Sequence, residues 1–72
     1  MELVNSEVVR REMLRRALGV GELANLAGVQ PAVISRMAKG DYRARLGTVG
    51  RIAKALKLDN PYELLKRSEP LD

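Results

Sequence analysis

The chain contains no cysteine and no histidine, which excludes disulfide staples and the usual zinc sites. Without either residue, and with no paired carboxylates in an apolar setting, no nucleophile–base set can be assembled, so an enzyme is not expected. No cofactor, metal or small-molecule ligand is expected either. No apolar run approaches the ~18 residues that a membrane span requires. Residues 1–7 carry two acids and no base, so neither secretion nor membrane insertion is expected. A cytoplasmic location is the default, and the lack of cysteine suits a reducing compartment.

What remains is short and basic. Seventy-two residues make a single domain over 1–72, with its folded core expected at about 6–66, and so short a chain buries only about 60% of the surface it exposes unfolded. A domain of this size needs a staple, very efficient helix packing or a partner; with staples excluded, packing or self-association is left. The formal net charge is +4, and the excess is concentrated. Between Leu23 and Leu58 the bases Arg36, Lys39, Arg43, Arg45, Arg51, Lys54 and Lys57 face Asp41 alone. A small domain with a basic half points to a polyanion, nucleic acid ahead of an acidic membrane.

With no repeat, low-complexity tract or linker, the chain divides at its glycines and prolines into five helical segments. The first is expected over 6–18, with Asn5 or Ser6 as N-cap. Val9, Met13 and Ala17, with Val8, Leu14 and Leu18, form its apolar stripe, and Glu7–Arg11 and Glu12–Arg16 are i,i+4 pairs on its charged side. A second helix over 20–27 puts Leu23, Ala24 and Ala27 inward and stops at Gly28. Pro31 opens a third over 31–39, with Ile34 and Met37 inward, Ala32, Ser35, Arg36 and Lys39 outward, and Gly40 as its stop. A basic loop is expected over 41–47. Val49, Ile52, Ala53 and Leu56 then recur at i, i+3, i+4 and i+7, the spacing of an amphipathic helix. Gly50 inside that helix marks either a close-packed neighbour or a tolerated cost of about 0.5–1 kcal/mol relative to Ala. Asn60 and Glu63 have capping-box spacing around Pro61, which predicts a short fifth helix through Leu65. The tail 68–72 is expected to fray.

Two short helices joined by a three- to four-residue turn containing glycine make a helix-turn-helix, whose second helix enters the major groove. Residues 20–39 have this form: Ala24 is small where the helices cross, Gly28 turns, and Val29 and Ile34 plug the corner. The spaced set Glu22-Leu23-Ala24-x-x-Ala27-Gly28-Val29, Ile34-Ser35-Arg36-Met37-x-x-Gly40, Leu46-x-Thr48-Val49 and Ile52-Ala53-Lys54-Ala55-Leu56 resembles the Cro/repressor (Xre) family of helix-turn-helix regulators over about residues 10–58. The resemblance implies an all-α, five-helix bundle of the lambda-repressor-like class, binding double-stranded DNA as a transcriptional regulator, most often a repressor. It places Pro31, Ala32, Ser35 and Arg36 where relatives read base edges. Tyr42, Arg43 and Arg45 fall on the phosphate-contacting loop, and Thr48 at a helix start where phosphate meets backbone N–H groups. Two features depart from the family pattern: Gly19-Val20 stands where many relatives have a phosphate-binding Ser-Gln pair, and Gln30, Pro31 and Ala32 replace a hydroxyl cap followed by polar residues.

Chemistry sorts these candidates. An outward Arg36 either grips guanine O6 and N7, worth ~1–3 kcal/mol of discrimination, or only touches a phosphate. Gln30 reads adenine, binds a phosphate or merely caps; Ala32 touches a thymine methyl or merely spaces the helix. Ser35, although among the base-reading positions, suits a backbone contact as well, and Lys39 is a backbone contact. Arg43 and Arg45 neutralise phosphates without reading sequence. Tyr42 either lays its hydroxyl on a phosphate or covers the end of the bundle. Because there is no second domain to pair two half-sites, a weak or DNA-assisted homodimer through Tyr62, Leu64 and Leu65 is expected, although the same residues also suit internal packing. The rival function is a protein-interaction module on the same scaffold, such as an antitoxin or accessory factor, favoured by the apolar Val20, Pro31 and Ala32. The string Gly19-Val20-Gly21-Glu22-Leu23-Ala24 matches G-x-G-x-x-A, but a helix rather than a strand precedes it, so it is not a dinucleotide site.

Overall fold

In a computed structural model, residues 1–40 and 42–66 are described; Asp41 and the expected frayed tail 68–72 lie outside them. The order is β1 (Glu2–Val4), α1 (Ser6–Arg15), α2 (Val20–Ala27), α3 (Pro31–Lys39), β2 (Tyr42–Ala44), α4 (Leu46–Ala55) and a 3-10 turn, Pro61–Leu64. The described residues therefore form four α-helices and a two-stranded antiparallel sheet, not the expected all-α bundle of five helices. The strands pair Glu2 with Ala44, Leu3 with Arg43 and Val4 with Tyr42. Neither is long enough to show a period in the sequence. They form because each supplies the other's backbone hydrogen bonds across 37 residues of intervening chain, and an unpaired buried amide is costly.

The other edge of β1 is also occupied. Leu65 bridges to Val4, the Asn5 amide donates to the Leu64 carbonyl at 2.7 Å, and the Lys66 amide donates to the Leu3 carbonyl at 2.8 Å. This pairing explains why no fifth α-helix forms among the described residues. The expected fifth helix is a single 3-10 turn whose Asn60 Oδ1 accepts from the Tyr62 amide at 2.9 Å; beyond Leu64 the chain is drawn out alongside β1, so no second turn can follow.

Helix starts and stops follow from local chemistry. Asn5 is the α1 N-cap, its Oδ1 accepting from the Glu7 and Val8 amides. At the α2 start Gly19 has no side chain to offer, and only the return half of a capping box exists: the Glu22 carboxylate accepts from the Gly19 amide at 2.8 Å. Three helices close alike. The residue after the C-cap or at it is left-handed, being Ala17 (φ 54), Gly28 (φ 71) and Lys57 (φ 59). The next amide then reaches back five residues: Leu18 to the Met13 carbonyl, Val29 to Ala24 and Leu58 to Ala53. This is the Schellman arrangement, and Leu18, Val29 and Leu58 each pack against the core as it predicts. The first helix thus ends at Arg15, three residues before the expected Leu18.

The core is continuous. Val9 from α1, Leu23, Ala24 and Ala27 from α2, Ile34 and Met37 from α3, and Val49, Ile52 and Ala53 with Leu56 from the α4 end are buried together, joined by Val4, Ala44 and Leu64. Each large aliphatic there contributes about 1.5–3 kcal/mol relative to exposure. α2 packs on α3 and α4, and α1 on α3 and the 3-10 turn. The expected α1 stripe is narrower than read: Leu14 is 82% exposed, because five residues from Val9 carry it about 140° round the helix. Its place inside is taken by Glu12, only 2% exposed. Arg11 and Arg15 reach Glu12 Oε2 at 3.2 and 3.3 Å, and Arg16 reaches Oε1 at 3.3 Å. The expected Glu12–Arg16 pair forms, whereas Arg11 turns to Glu12 rather than Glu7.

Candidate nucleic-acid interface

The corner between α2 and α3 is built as its residues require. Ala24 is 1% exposed at the crossing, Gly28 takes the left-handed turn, and Ile34 is fully buried. With Ile34 and Met37 committed to the core, the periodicity of α3 leaves its opposite side free: Pro31, Ala32, Arg36 and Lys39 are exposed and Ser35 is half-buried. Gln30 is the α3 N-cap in extended conformation and makes no side-chain cap hydrogen bond. Its amide therefore remains available to a partner.

The segment that follows is a strand where a loop was expected. In β2, Tyr42 and Ala44 share the face turned to the core, Ala44 buried and Tyr42 half-buried and packed against it. Tyr42 thus packs against the core. Arg43 lies between them and alternation sends it to the exposed face. Arg45 is exposed at the α4 N-cap. Pairing with β1 replaces a flexible basic loop by a braced one, which lowers the entropy that a bound partner would otherwise have to remove.

The two helix starts nearby differ electrostatically. At α4 the first backbone hydrogen bond is from Val49 to the Arg45 carbonyl, so the amides of Leu46, Gly47 and Thr48 precede the intrahelical ladder. No side chain caps them and no acid stands in the first turn; Thr48 itself is half-buried. Positive partial charge there adds to that of Arg43 and Arg45. At α2 the Glu22 carboxylate already occupies the terminus. The Glu22 carboxylate disfavours an anion at that end, whereas the α4 start has no such charge.

No family model matches the chain, and no curated protein or solved structure is significantly similar to it. The arrangement must therefore be judged on its own chemistry. Arg36, Lys39, Arg43 and Arg45 are four exposed cations within ten residues, with no carboxylate among the described residues of that stretch. They offer two planar forks suited to phosphate on the braced segment and one on the outer side of a helix. Among the described residues no group of acidic, histidine or cysteine side chains could hold a metal, and no helix is long and apolar enough to cross a membrane.

The expected self-association residues separate. Leu64 is fully buried in its own chain and is withdrawn as a surface contact: it is core. Tyr62 is 59% exposed and Leu65 half-buried. Both line an open groove of about 740 Å³ with Leu3, bordered by Arg11, Glu63 and Lys66. None of the lining residues belongs to α3 or to the Arg43–Arg45 region, although Leu3 is the cross-strand partner of Arg43. Reading the sequence missed two side chains here, Glu12 and Arg10. The first has a signal in retrospect, since Glu12 lies at i+3 from Val9. The second, an Arg10 hydrogen bond to the Ala38 carbonyl, spans two helices and has none.

Proposed function

We propose that this protein is a sequence-specific double-stranded DNA-binding regulator of transcription, a repressor of the Cro/repressor (Xre) kind, that lays α3 in the major groove. The observation that carries the reading is the exposure of Arg36 and Lys39 on the outer side of α3, with exposed Arg43 and Arg45 following within ten residues of chain, after a helix corner whose inner residues are consumed by packing. In this reading Arg36 grips a guanine edge, and Gln30, Ala32 and Ser35 make the remaining base-side contacts. Lys39, Arg43, Arg45 and the α4 amides at Thr48 hold phosphates and set the register. Tyr42, turned towards the core, supports the strand and offers its hydroxyl to a phosphate. Two copies bind half-sites about 34 Å apart, meeting through the groove of Tyr62 and Leu65.

Binding of duplex DNA at two salt concentrations tests the class of function. About four phosphate contacts per subunit give roughly a hundredfold loss of affinity between 50 and 200 mM salt. Selection of sites from a random duplex pool then tests the reader: Arg36→Ala loses preference at one base pair, whereas uniform weakening would demote Arg36 to a backbone contact. A chain that binds duplex DNA with no salt dependence, or not at all, refutes the proposal. The alternative of a protein-interaction module draws support from Leu26 and Leu46, exposed at 62% and 45%; it requires a protein partner whose binding survives when the four cations are removed.

A further inference from the structure

The last turn of α3 is finished by a side chain from another helix. α1, α2 and α4 each end with a backbone amide folded back on the preceding turn. At α3 Gly40 is extended (φ 173, ψ −155), and among the described residues no such capping bond closes the turn. The final carbonyls of a helix have no intrahelical donor, and a nine-residue helix has little cooperativity with which to resist fraying. Arg10, twenty-eight positions earlier on α1, donates from Nη1 to the Ala38 carbonyl at 2.6 Å. A guanidinium at this place supplies the missing donor, and its charge meets the negative end of the helix dipole. Val9 beside it is fully buried and anchors the helix from which Arg10 reaches.

We infer that Arg10 is a positioning residue for DNA recognition: by capping α3 it holds the turn that carries Arg36 and Lys39, and it does so without contacting the duplex. The inference rests on the DNA-binding reading given above. Arg36 lies in the same final turn as the capped carbonyl. Bidentate recognition of a base edge tolerates little displacement, so loosening this turn costs specific binding. Phosphate attraction, which depends on charge more than on geometry, is spared because Arg43 and Arg45 sit on β2 and at the α4 start.

The test uses the full chain with Arg10→Ala and, as a variant that keeps the charge, Arg10→Lys. Amide hydrogen exchange is followed in α3 and α2, and affinity is measured for a selected site and a random duplex over a range of salt. In Arg10→Ala, exchange in the last turn of α3 accelerates by about two- to fivefold, the range for an exposed cation at a helix C-terminus, while α2 is unchanged. Affinity for the selected site falls about tenfold, and binding to random duplex and the salt slope stay as they were. Arg10→Lys recovers part of both losses. A salt slope reduced by about 0.9 would make Arg10 a phosphate contact, and unchanged exchange would remove the cap; either overturns the inference. Faster exchange with unaltered site selectivity overturns the recognition role as well. Failure of the wild-type chain to bind any duplex sinks the DNA reading itself, and is distinguished from failure of the cap by the exchange data alone.

Discussion

Adding one methyl group at Gly50 should stabilise this protein, and adding the same group at Gly28 should destabilise it. Gly50 lies inside α4, has an ordinary helical backbone, and a Cβ built on it meets nothing within 4 Å. Of the two explanations that the sequence left open, close packing is therefore excluded and the residue is simply tolerated. Gly50→Ala then regains the helix-interior difference, about 0.5–1 kcal/mol. For a domain of 60–100 residues 1 kcal/mol shifts Tm by about 4–8 °C, so a rise of roughly 2–8 °C is expected in a thermal melt followed by circular dichroism. Gly28 is just as unobstructed but has φ 71. There a Cβ meets its own backbone, at a cost of about 1–2 kcal/mol, and Tm falls by roughly 4 °C or more. If Gly50→Ala is neutral or lowers Tm, the space beside α4 is not free and the packing described around it is wrong. If Gly28→Ala is harmless, the left-handed corner between α2 and α3 is wrong, and the orientation of α3 with it.

Other outcomes follow from the same structure. Ala17→Gly relieves a left-handed alanine at the end of α1 and raises stability by up to about 1 kcal/mol, read from urea unfolding. Leu64→Ala removes a fully buried side chain and costs ~2–5 kcal/mol, a large part of the total stability of so small a domain, whereas Tyr62→Ala leaves the melt unchanged and weakens self-association in sedimentation. Arg43→Ala with Arg45→Ala lowers the salt slope of duplex binding by about 1.8, at 0.9 per phosphate contact, with little change in Tm because both side chains are exposed; an unaltered slope removes them from the interface. Deleting residues 1–3 takes away the partner of Ala44, so amide exchange rises at Ala44 while the interior of α2 stays protected.

Local chemistry by itself determined most of the helical frame. The spacing of Leu23, Ala24 and Ala27, of Ile34 and Met37, and of Val49, Ile52, Ala53 and Leu56 specifies inner faces that are buried as expected. Gly28 and Pro31 mark a corner, because turns and caps depend on single residues and their immediate neighbours. The exposure of Arg36 and Lys39 follows from the α3 periodicity; Arg43 is turned outward by the alternation of a strand that only tertiary pairing creates. Tertiary structure alone decided what depends on segments distant in the chain. β1 and β2 are each three residues long and carry no period of their own; they exist because they meet. The same pairing, extended to Leu65, stops the last turn from becoming a helix and sends Leu64 inward. Glu12 is buried because three arginines compensate its charge there, and Arg10 closes α3 because α1 and α3 pack together. An amphipathic period reports which side of an element turns inward, but not which distant group will satisfy its backbone or its charge.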